Sequence, residues 1–254
     1  MMNIGMIDAS VVVPLRNEEL NVLPLHEELS RVLEALGLPY ELLFVDDGSD
    51  DGTFEKLAQL QARDPRLRVI RFQRHYGQTA AFAAGFAHAR GRFIVTLDGD
   101  LQNDPADIPR MLALAEGGHD IVCGWRRQRQ DAFLTRHLPS IVANRLVGAV
   151  TGIRLHDNGC SLKVFRAEVV KPLHLRPGMH RYLPALASQL GNRIIEVVVH
   201  HRPRRHGRSN YGLSRTFRVL VDLVRLPTLM REALEPAAAG EPLYEIREVR
   251  DATT

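Results

Sequence analysis

The chain has 254 residues, 45% of them hydrophobic, and its formal net charge of +3 comes from 33 Lys and Arg residues against 30 Asp and Glu residues. This length can bury one α/β core, and the two cysteines, which lie in no metal-ligand spacing, exclude a disulfide-stapled scaffold. Because no apolar run approaches the ~18 residues of a membrane span and the first ten residues lack a signal-peptide pattern, we expect a cytoplasmic protein.

In the first half of the chain, buried strands alternate with helices. Ser10–Val13 is a β-branched run that stops at Pro14, which predicts a buried parallel strand. The next residues carry leucines at helical spacing and predict a helix that ends at Gly37. Further strands are predicted at 41–45, 67–72, 92–97 and 120–124, and further helices at 54–62 and 77–89. This order predicts an α/β fold with a Rossmann-like, mostly parallel sheet flanked by helices.

The second half departs from this alternation. Its pattern predicts helices at 134–150 and 182–190 and a strand at 193–200, built onto the same sheet. Residues 213–224 place apolar side chains on one helical stripe, which predicts a helix that either packs on the core or lies on a membrane surface. We therefore expect one domain at 1–226, ending in this amphipathic helix, and a polar tail at 227–254.

The most informative motif is Thr96–Gln102, where an apolar strand ends in two carboxylates one residue apart, Asp98 and Asp100. The carboxyl ends of parallel strands form the ligand-binding edge of open α/β sheets. Two carboxylates at that edge repel each other unless a cation lies between them, and oxygen ligands suit Mg²⁺ or Mn²⁺ bound to a diphosphate. The alternative is a pair of turn or helix-capping acids, because Asp-Gly is a common turn dipeptide.

Two other motifs are predicted at the same edge of the sheet. The turn Asp46–Thr53 follows the second strand, and its acids can accept hydrogen bonds from a base or a ribose hydroxyl, while its glycines allow close backbone approach. The alternative for any one of these residues is a capped loop, with Asp51 or Thr53 at the helix start. Since Val13–Glu18 ends the first strand, all three motifs are expected to face one crevice.

These motifs resemble those of family 2 glycosyltransferases of the GT-A fold, and the resemblance extends from about residue 10 to residue 224. Within that family the chain is most similar to the polyprenyl-phosphate glycosyltransferases. The resemblance implies inverting, metal-dependent transfer of a sugar from a nucleotide sugar to a polyprenyl phosphate at the membrane surface, with no nucleic acid as partner. The segments that carry it are Val13–Glu18, Phe44–Thr53, His75–Ala81, Leu97–Pro105, Asp157–Arg166 and Arg205–Tyr211.

The resemblance also implies roles for individual residues. Asp98 and Asp100 would be catalytic, and together with Gln102 they would hold Mg²⁺ or Mn²⁺ against the diphosphate. The nucleotide sugar would be bound by residues of the crevice loops, of one helix start and of two basic loops: Pro14, Arg16, Asn17, Glu18, Asp46, Asp47, Gly77, Arg126, Arg202, Arg205 and Ser209.

The basic loops follow the predicted strands at 120–124 and 193–200. Arginine forks match phosphate oxygens in pairs, although the same runs also fit a solvated basic surface. The family pattern Arg-x-x-Gly-x-Ser-x-Tyr matches Arg205–Tyr211 with one residue fewer after the arginine, so Arg202 and Arg205 both remain candidates for the phosphate contact.

Three residues are expected on the acceptor side. A phosphate monoester has its second pKa near ~6, so it needs positioning more than deprotonation. Asp157 is therefore expected either to orient an arginine or the acceptor, or to act as a general base. Arg136 and Ser140 would hold the acceptor phosphate, with a helix cap as the alternative.

Other functions remain open from the sequence. A sugar nucleotidyltransferase would share the sheet and the acids, but it would normally have a glycine-rich phosphate loop after the first strand. A non-enzymatic nucleotide- or nucleic-acid-binding protein fits the basic loops, but the acids would repel a phosphate backbone unless metal is bound. Among donors, a UDP-sugar is favoured and GDP-mannose stays open. The enzyme would meet a lipid acceptor peripherally on the cytoplasmic face, or a partner would supply the anchor, or the acceptor would be soluble. A homo-oligomer also stays open.

Overall fold

The computed structural model describes residues 7–127, 144–145, 147–149, 151–204, 225–235 and 243–251. Its eight strands form one sheet. The strands are β1 (Ala9–Leu15), β2 (Tyr40–Asp46), β3 (Leu67–Phe72), β4 (Phe93–Thr96), β5 (Ile121–Trp125), β6 (Lys163–Arg166), β7 (Ile194–Val198) and β8 (Ile246–Arg250). The longer helices are α1 (Val22–Leu36), α2 (Thr53–Gln61), α3 (Gln78–His88) and α4 (Ile108–Glu116).

The strand order across the sheet is β7-β5-β6-β4-β1-β2-β3-β8. The four central strands β4, β1, β2 and β3 run parallel, and β5 and β7 are parallel to each other. Among the strands of the described residues, β6 and β8 are the ones that run antiparallel to their neighbours. The mostly parallel α/β sheet is therefore confirmed, and the carboxyl ends of β1, β2 and β4 lie at the same edge.

Side chains of the central strands alternate between two cores, as the pleat requires. Val12 and Leu43 face one core, which includes α3. Val11 and Leu42 face the other, which includes α1, α2 and α4. Helix α3 packs so closely on β1 that a Cβ added at Gly85 would overlap the Val12 side chain. This contact fixes the start of α3 relative to the edge of the sheet.

Most elements predicted in the first half are present, with small shifts at their ends. Strand β1 continues through Pro14 to Leu15 instead of stopping at the proline, because parallel pairing with β2 continues to Asp46. Helix α1 ends at Gly37, whose φ of 64° is in the left-handed region that glycine tolerates. The third strand has the predicted bounds.

The second half differs more from the predictions. The predicted helix at 182–190 is a 3₁₀ turn, Met179–Tyr182, followed by a short helix, Leu183–Ala187. Strand β6 and helix α4 were not predicted. Most of the predicted helix at 134–150 and the whole stripe at 213–224 lie outside the described residues. No helix within the described part is long and apolar enough to cross a membrane.

Residues 243–251 belong to the folded sheet, which differs from the prediction of a polar tail at 227–254. Strand β8 pairs antiparallel with β3, and Tyr244 stacks on Phe72 with 5.0 Å between ring centroids. Asp251 hydrogen bonds to the buried Arg68. Strand β8 lies at an edge of the sheet and carries three charged residues among five. Charged residues are common on edge strands, and the same composition predicts a polar tail when only the sequence is considered. The boundary at 226 stays a prediction.

Candidate active site

The loops after β1 and β2 are joined by hydrogen bonds at the carboxyl edge of the sheet. The Asn17 backbone N–H donates to Ser49 Oγ at 3.0 Å, and the Asp50 N–H donates to Asn17 Oδ1 at 3.1 Å. The Glu18 N–H donates to Thr53 Oγ1 at 2.9 Å. Asn17 has a φ of 55°, a conformation that asparagine tolerates better than most residues. The predicted proximity of these two loops is confirmed.

Asp47 connects these loops to a third one, between β3 and α3. Its backbone N–H donates to Leu15 O at 2.9 Å. Its carboxylate accepts hydrogen bonds from the backbone N–H groups of Tyr76, at 2.7 Å, and Gly77, at 2.9 Å, and contacts His75 Nδ1 at 2.8 Å. Both oxygens of this buried carboxylate are therefore engaged by the loop that precedes α3.

Asp46, Pro14 and Arg16 lie close to this junction. The Asp46 side chain is fully buried and accepts a hydrogen bond from the Ser49 N–H at 3.0 Å, while Arg71 Nε lies 3.6 Å away. Burial raises the pKa of Asp46 above its ordinary value. Pro14 is half-buried within β1, and Arg16 is exposed beyond its end. Asp46 therefore stabilises the loop after β2 from within the core, whereas Arg16 is exposed to solvent.

The acid pair follows β4, as predicted. Asp98 Oδ1 accepts a hydrogen bond from Gln78 Nε2 at 2.7 Å, and the Asp98 backbone N–H donates to Ser161 Oγ at 3.2 Å. Asp100 is buried, and its Oδ1 accepts a hydrogen bond from the Gln102 N–H at 3.2 Å. Asp98 is thus held by two different elements, since Gln78 begins α3 and Ser161 precedes β6.

Negative charge is concentrated around Asp100. Burial raises its pKa, and the neighbouring charge of Asp98 raises it further. Glu18 belongs to the same electrostatic cluster: burial raises its pKa, and Asp100 and Asp98 add to that effect. The nearest cation is Arg204, whose Nη2 donates to Asp100 Oδ2 at 2.7 Å. This excess of carboxylates favours a bound cation.

The residues present fit a divalent cation of the hard, oxygen-preferring kind. Asp98 and Asp100 supply carboxylate oxygens, and Gln102 lies beside them with its Nε2 donating to Arg202 O at 3.3 Å. Over the described ranges, no three His, Cys, Asp or Glu side chains form a metal-binding group. Mg²⁺ typically uses one or two carboxylates and completes its shell with phosphate and water, so this donor set suits a cation that arrives with a diphosphate.

Arg126 and Asp157 form a buried, bidentate ion pair beyond the acid pair. Arg126 Nε lies 2.7 Å from Asp157 Oδ2, and Arg126 Nη2 lies 3.0 Å from Asp157 Oδ1. Burial alone would lower the pKa of Arg126, but the hydrogen bonds and charge of Asp157 outweigh it and leave the pKa raised. Asp98 contributes to the same effect. Of the two roles expected for Asp157, the structure contains the one in which it orients an arginine.

The other predicted arginines differ in their surroundings. Arg202 is held in ion pairs, with Nη1 2.6 Å from Glu28 Oε2 and Nη2 2.7 Å from Asp104 Oδ1. It therefore ties the loop after β7 to α1, whereas Arg204, two residues later, reaches the acid pair. The remaining predicted residues, Arg136, Ser140, Arg205 and Ser209, lie outside the described residues.

Three residues at the site were not predicted: Gln78, Ser161 and Arg204. Gln78 belongs to the quoted segment His75–Ala81, and Ser161 to the segment Asp157–Arg166, but nothing in their spacing shows that both would contact Asp98. Ser161 Oγ also accepts a hydrogen bond from Asn103 Nδ2 at 2.7 Å. These contacts depend on how α3 and β6 pack beside β4, which a sequence pattern does not specify.

Comparisons with known proteins show which family the chain resembles. Residues 10–173 match the family model for glycosyl transferase family 2. A dodecaprenyl-phosphate galacturonate synthase from Rhizobium johnstonii is 45% identical over 234 residues, which cover 91% of this chain and 69% of that protein.

Solved structures with the same fold include two synthases of low sequence identity. Glucosyl-3-phosphoglycerate synthase from Mycobacterium tuberculosis, in complex with Mn²⁺, UDP and phosphoglyceric acid, superposes with a TM-score of 0.68 at 22% identity, covering 91% of this chain and 80% of that one. Mannosyl-3-phosphoglycerate synthase from Rubrobacter xylanophilus has a TM-score of 0.67 at 17% identity, covering 96% and 89%. At these identities the likeness shows the fold alone.

Proposed function

This chain belongs to glycosyl transferase family 2, and we propose that it transfers a sugar from a nucleotide sugar to a polyprenyl phosphate. That it is a glycosyltransferase enzyme of the GT-A fold follows from the family match and its relatives. A non-enzymatic nucleotide-binding protein and a sugar nucleotidyltransferase are not favoured. The observation that carries the proposal is the acid pair Asp98 and Asp100, placed at the carboxyl edge of the sheet beside the joined loops of β1 and β2.

We favour a UDP-sugar as the donor, and a UDP-linked galacturonic acid as the first one to test. The support is the relative from Rhizobium johnstonii, a dodecaprenyl-phosphate galacturonate synthase that is 45% identical over most of this chain. The fold neighbour from Mycobacterium tuberculosis was crystallised with UDP and Mn²⁺, which makes a uridine nucleotide the first one to test. GDP-mannose is the second donor to test.

The proposed donor site lies between the joined loops and the acid pair. Asn17 and Glu18 border it on the β1 side, and Asp47 fixes the loop that closes it on the α3 side. Asp98, Asp100 and Gln102 would hold Mg²⁺ or Mn²⁺ there. Such a cation, when bound, neutralises charge that develops on a departing diphosphate.

The proposed reaction is a direct displacement with inversion at the sugar carbon C1. An oxygen of the acceptor phosphate forms a bond to C1, and the bond from C1 to the donor diphosphate breaks, so that a nucleoside diphosphate leaves with the bonding electron pair. A phosphate monoester is largely ionised at neutral pH, because its second pKa is near ~6. The attacking oxygen therefore needs no general base, which agrees with Asp157 being committed to Arg126.

Arginines near the acid pair would compensate the phosphate charges. Arg126 lies within electrostatic reach of Asp98, and Arg204 contacts Asp100 directly. Arg136 and Ser140 remain the proposed ligands of the acceptor phosphate, and Arg205 and Ser209 remain proposed ligands of the donor. A polyprenyl phosphate lies in a membrane, so we propose that the enzyme works peripherally on the cytoplasmic face, either alone or with an anchoring partner.

The experiment that tests this function supplies the purified chain with polyprenyl phosphate in detergent, Mn²⁺ and one donor at a time. UDP-galacturonic acid, UDP-glucose and GDP-mannose are compared, and the lipid product and the released nucleotide are quantified by chromatography. Equal amounts of glycolipid and nucleotide from one donor would support the proposal. Absence of glycolipid with every donor, in the presence of protein that binds UDP, would reject the polyprenyl phosphate as acceptor.

A further inference from the structure

Gln78 is the first residue of α3 and links two parts of the site that are far apart in the sequence. We propose that Gln78 is a positioning residue for Asp98, and that Asp47 sets its place by holding the start of α3. The inference rests on the proposed function, because it assumes that Asp98 binds a cation. It gives Asp47 a role in cation binding although its carboxylate is committed to the loop before α3.

The first step of this link is the anchoring of the loop. Asp47 Oδ2 accepts the Gly77 N–H at 2.9 Å, and Asp47 Oδ1 accepts the Tyr76 N–H at 2.7 Å. Gly77 has a φ of 95°, which a residue with a Cβ rarely adopts, so this turn into α3 needs a glycine. The backbone position of Gln78 therefore depends on the Asp47 carboxylate.

The second step is the rigidity of α3. Gly85 packs directly against Val12 of β1, and Thr79 is buried, with its Oγ1 accepting the Gly178 N–H at 3.0 Å. The helix is thus fixed on one face by the sheet and near its start by the segment around Gly178. A side chain on such an element keeps its reach better than one on a loop.

The third step is the contact with Asp98. Gln78 Nε2 lies 2.7 Å from Asp98 Oδ1, and over the described residues no other side chain hydrogen bonds to that carboxylate. The negative charges of Asp98 and Asp100 repel each other, and this repulsion favours Asp98 rotamers that separate the two carboxylates. The Gln78 amide opposes this rotation without adding charge, so it keeps the Asp98 oxygens in place for a cation.

Direct measurement of Mn²⁺ affinity tests the contact between Gln78 and Asp98. Calorimetric titration with UDP present compares the wild type with Gln78→Met, which keeps the side-chain length and removes the donor. We expect the Mn²⁺ dissociation constant to rise by about ten- to a hundredfold, the usual cost of losing a partner that orients a metal ligand. Gln73→Ala, an exposed glutamine in the same loop, is the matched control and should bind as the wild type does.

A double-mutant cycle tests whether Asp47 acts on Mn²⁺ binding through Gln78. Asp47→Asn replaces one acceptor oxygen by an N–H₂ group and should weaken Mn²⁺ binding in the wild type. In the Gln78→Met background the same change should have little further effect, because the link is already broken. Purely additive losses would overturn the role assigned to Asp47. If Gln78→Met does not fold, as judged by circular dichroism, Gln78→Asn, which is one methylene too short to reach, takes its place.

The outcomes separate this inference from the function on which it rests. Wild-type protein that binds no Mn²⁺ in the presence of UDP would overturn both. Wild-type binding that is matched by Gln78→Met would overturn the role of Gln78 and leave the proposed donor site standing. Weaker Mn²⁺ binding in Gln78→Met, with a normal melting temperature and with an unchanged Gln73→Ala control, would establish Gln78 as the positioning residue.

Discussion

The Arg204 guanidinium donates a hydrogen bond to Asp100, with 2.7 Å between Nη2 and Oδ2. The arginine follows β7 and the acid follows β4, so this contact joins the loops that follow these two strands. Both side chains are largely buried, and the positive charge of Arg204 offsets part of the repulsion between Asp100 and Asp98. A cation that binds to Asp100 has to compete with this arginine.

Arg204→Met should therefore raise the Mn²⁺ affinity of the nucleotide-free protein. A partly exposed ion pair is worth about 1 kcal/mol, which corresponds to an increase of about fivefold. Calorimetric titration of Mn²⁺ into both proteins measures this directly. Arg202→Met is the matched control, because Arg202 lies two residues away but pairs with Glu28 and Asp104. An affinity that is unchanged or lower in Arg204→Met would contradict the competition.

Asp157→Asn should lower the stability of the fold, and it should not remove a general base from the reaction. The variant keeps one acceptor oxygen but leaves the buried Arg126 without its full partner, and breaking buried pairs costs up to about 3–5 kcal/mol. We expect the free energy of unfolding to fall by about 2 kcal/mol, because the asparagine keeps one hydrogen bond. Urea denaturation of Asp157→Asn, Arg126→Met and the double variant measures the loss and its non-additivity.

The kinetics of the same variant separate positioning from proton removal. If Asp157 orients Arg126, the pH profile of turnover in Asp157→Asn should keep the shape of the wild-type profile. A general base would behave differently: its loss would remove the acidic limb of the kcat profile while leaving stability unchanged. That second pattern would assign Asp157 to catalysis.

Much of the site could be predicted because its chemistry is local. An apolar run followed by Asp98 and Asp100 predicts both the end of a strand and the acids that extend from it, and β1 and β2 carry their loops in the same way. Parallel strands bring such loops to one edge. The contacts of those acids with Gln78 and Arg204 depend on the packing of α3 and the position of β7, which the sequence does not specify. Arg204 itself could have been selected, because it fits the pattern Arg-x-x-Gly-x-Ser-x-Tyr with exact spacing.

The C-terminal strand shows the same division. Its sequence, Ile-Arg-Glu-Val-Arg, has no strict alternation of apolar and charged residues, and five residues of mixed charge are too weak a signal without the partner strand β3. Asp251, directly after β8, forms an ion pair with Arg68, a buried arginine near the start of β3. A buried arginine predicts that a partner exists somewhere in the chain, and the sequence does not say where.

Asp251→Asn should lower the free energy of unfolding by an amount that depends on pH. Burial alone would raise the pKa of Asp251, but its hydrogen bond with Arg68 and the charges of Arg68 and Arg90 hold it below its usual range. The ionised Asp251 therefore contributes to the free energy of unfolding when the pH is above the unfolded-state pKa of about 4. This contribution is lost as the pH falls through the lower pKa of the folded state. The free energy of unfolding should fall by about 1 kcal/mol at neutral pH.

Denaturant titrations of Asp251→Asn and the wild type at several pH values measure this effect. The difference between the two proteins should shrink as the pH falls below about 4, since the wild-type carboxyl then becomes neutral as well. Glu27→Gln, an exposed acid on α1, is the control. A difference that stays constant from neutral to acidic pH would contradict the ion-pair explanation.

Both cysteines should be unreactive in the folded protein. Burial raises the pKa of Cys123 to about 12 and that of Cys160 to about 11, and both thiols are fully buried. The thiolate is the reactive form, so alkylation at about pH 8 should be negligible in native protein and complete in denaturant. Mass spectrometry counts the modified residues. Rapid labelling of Cys160 in native protein would show that the core beside β6 is open.

The most direct test of the proposed donor site is calorimetric titration of UDP into the wild type and Asp100→Asn, with Mn²⁺ and then with chelator. We predict UDP binding that requires Mn²⁺ in the wild type and is at least about tenfold weaker in Asp100→Asn, since that variant removes a carboxylate ligand. Because GDP is titrated in parallel, the same experiment identifies the base. Equal UDP binding with and without metal, or equal binding by both proteins, would contradict a cation held by Asp98 and Asp100 against a nucleoside diphosphate.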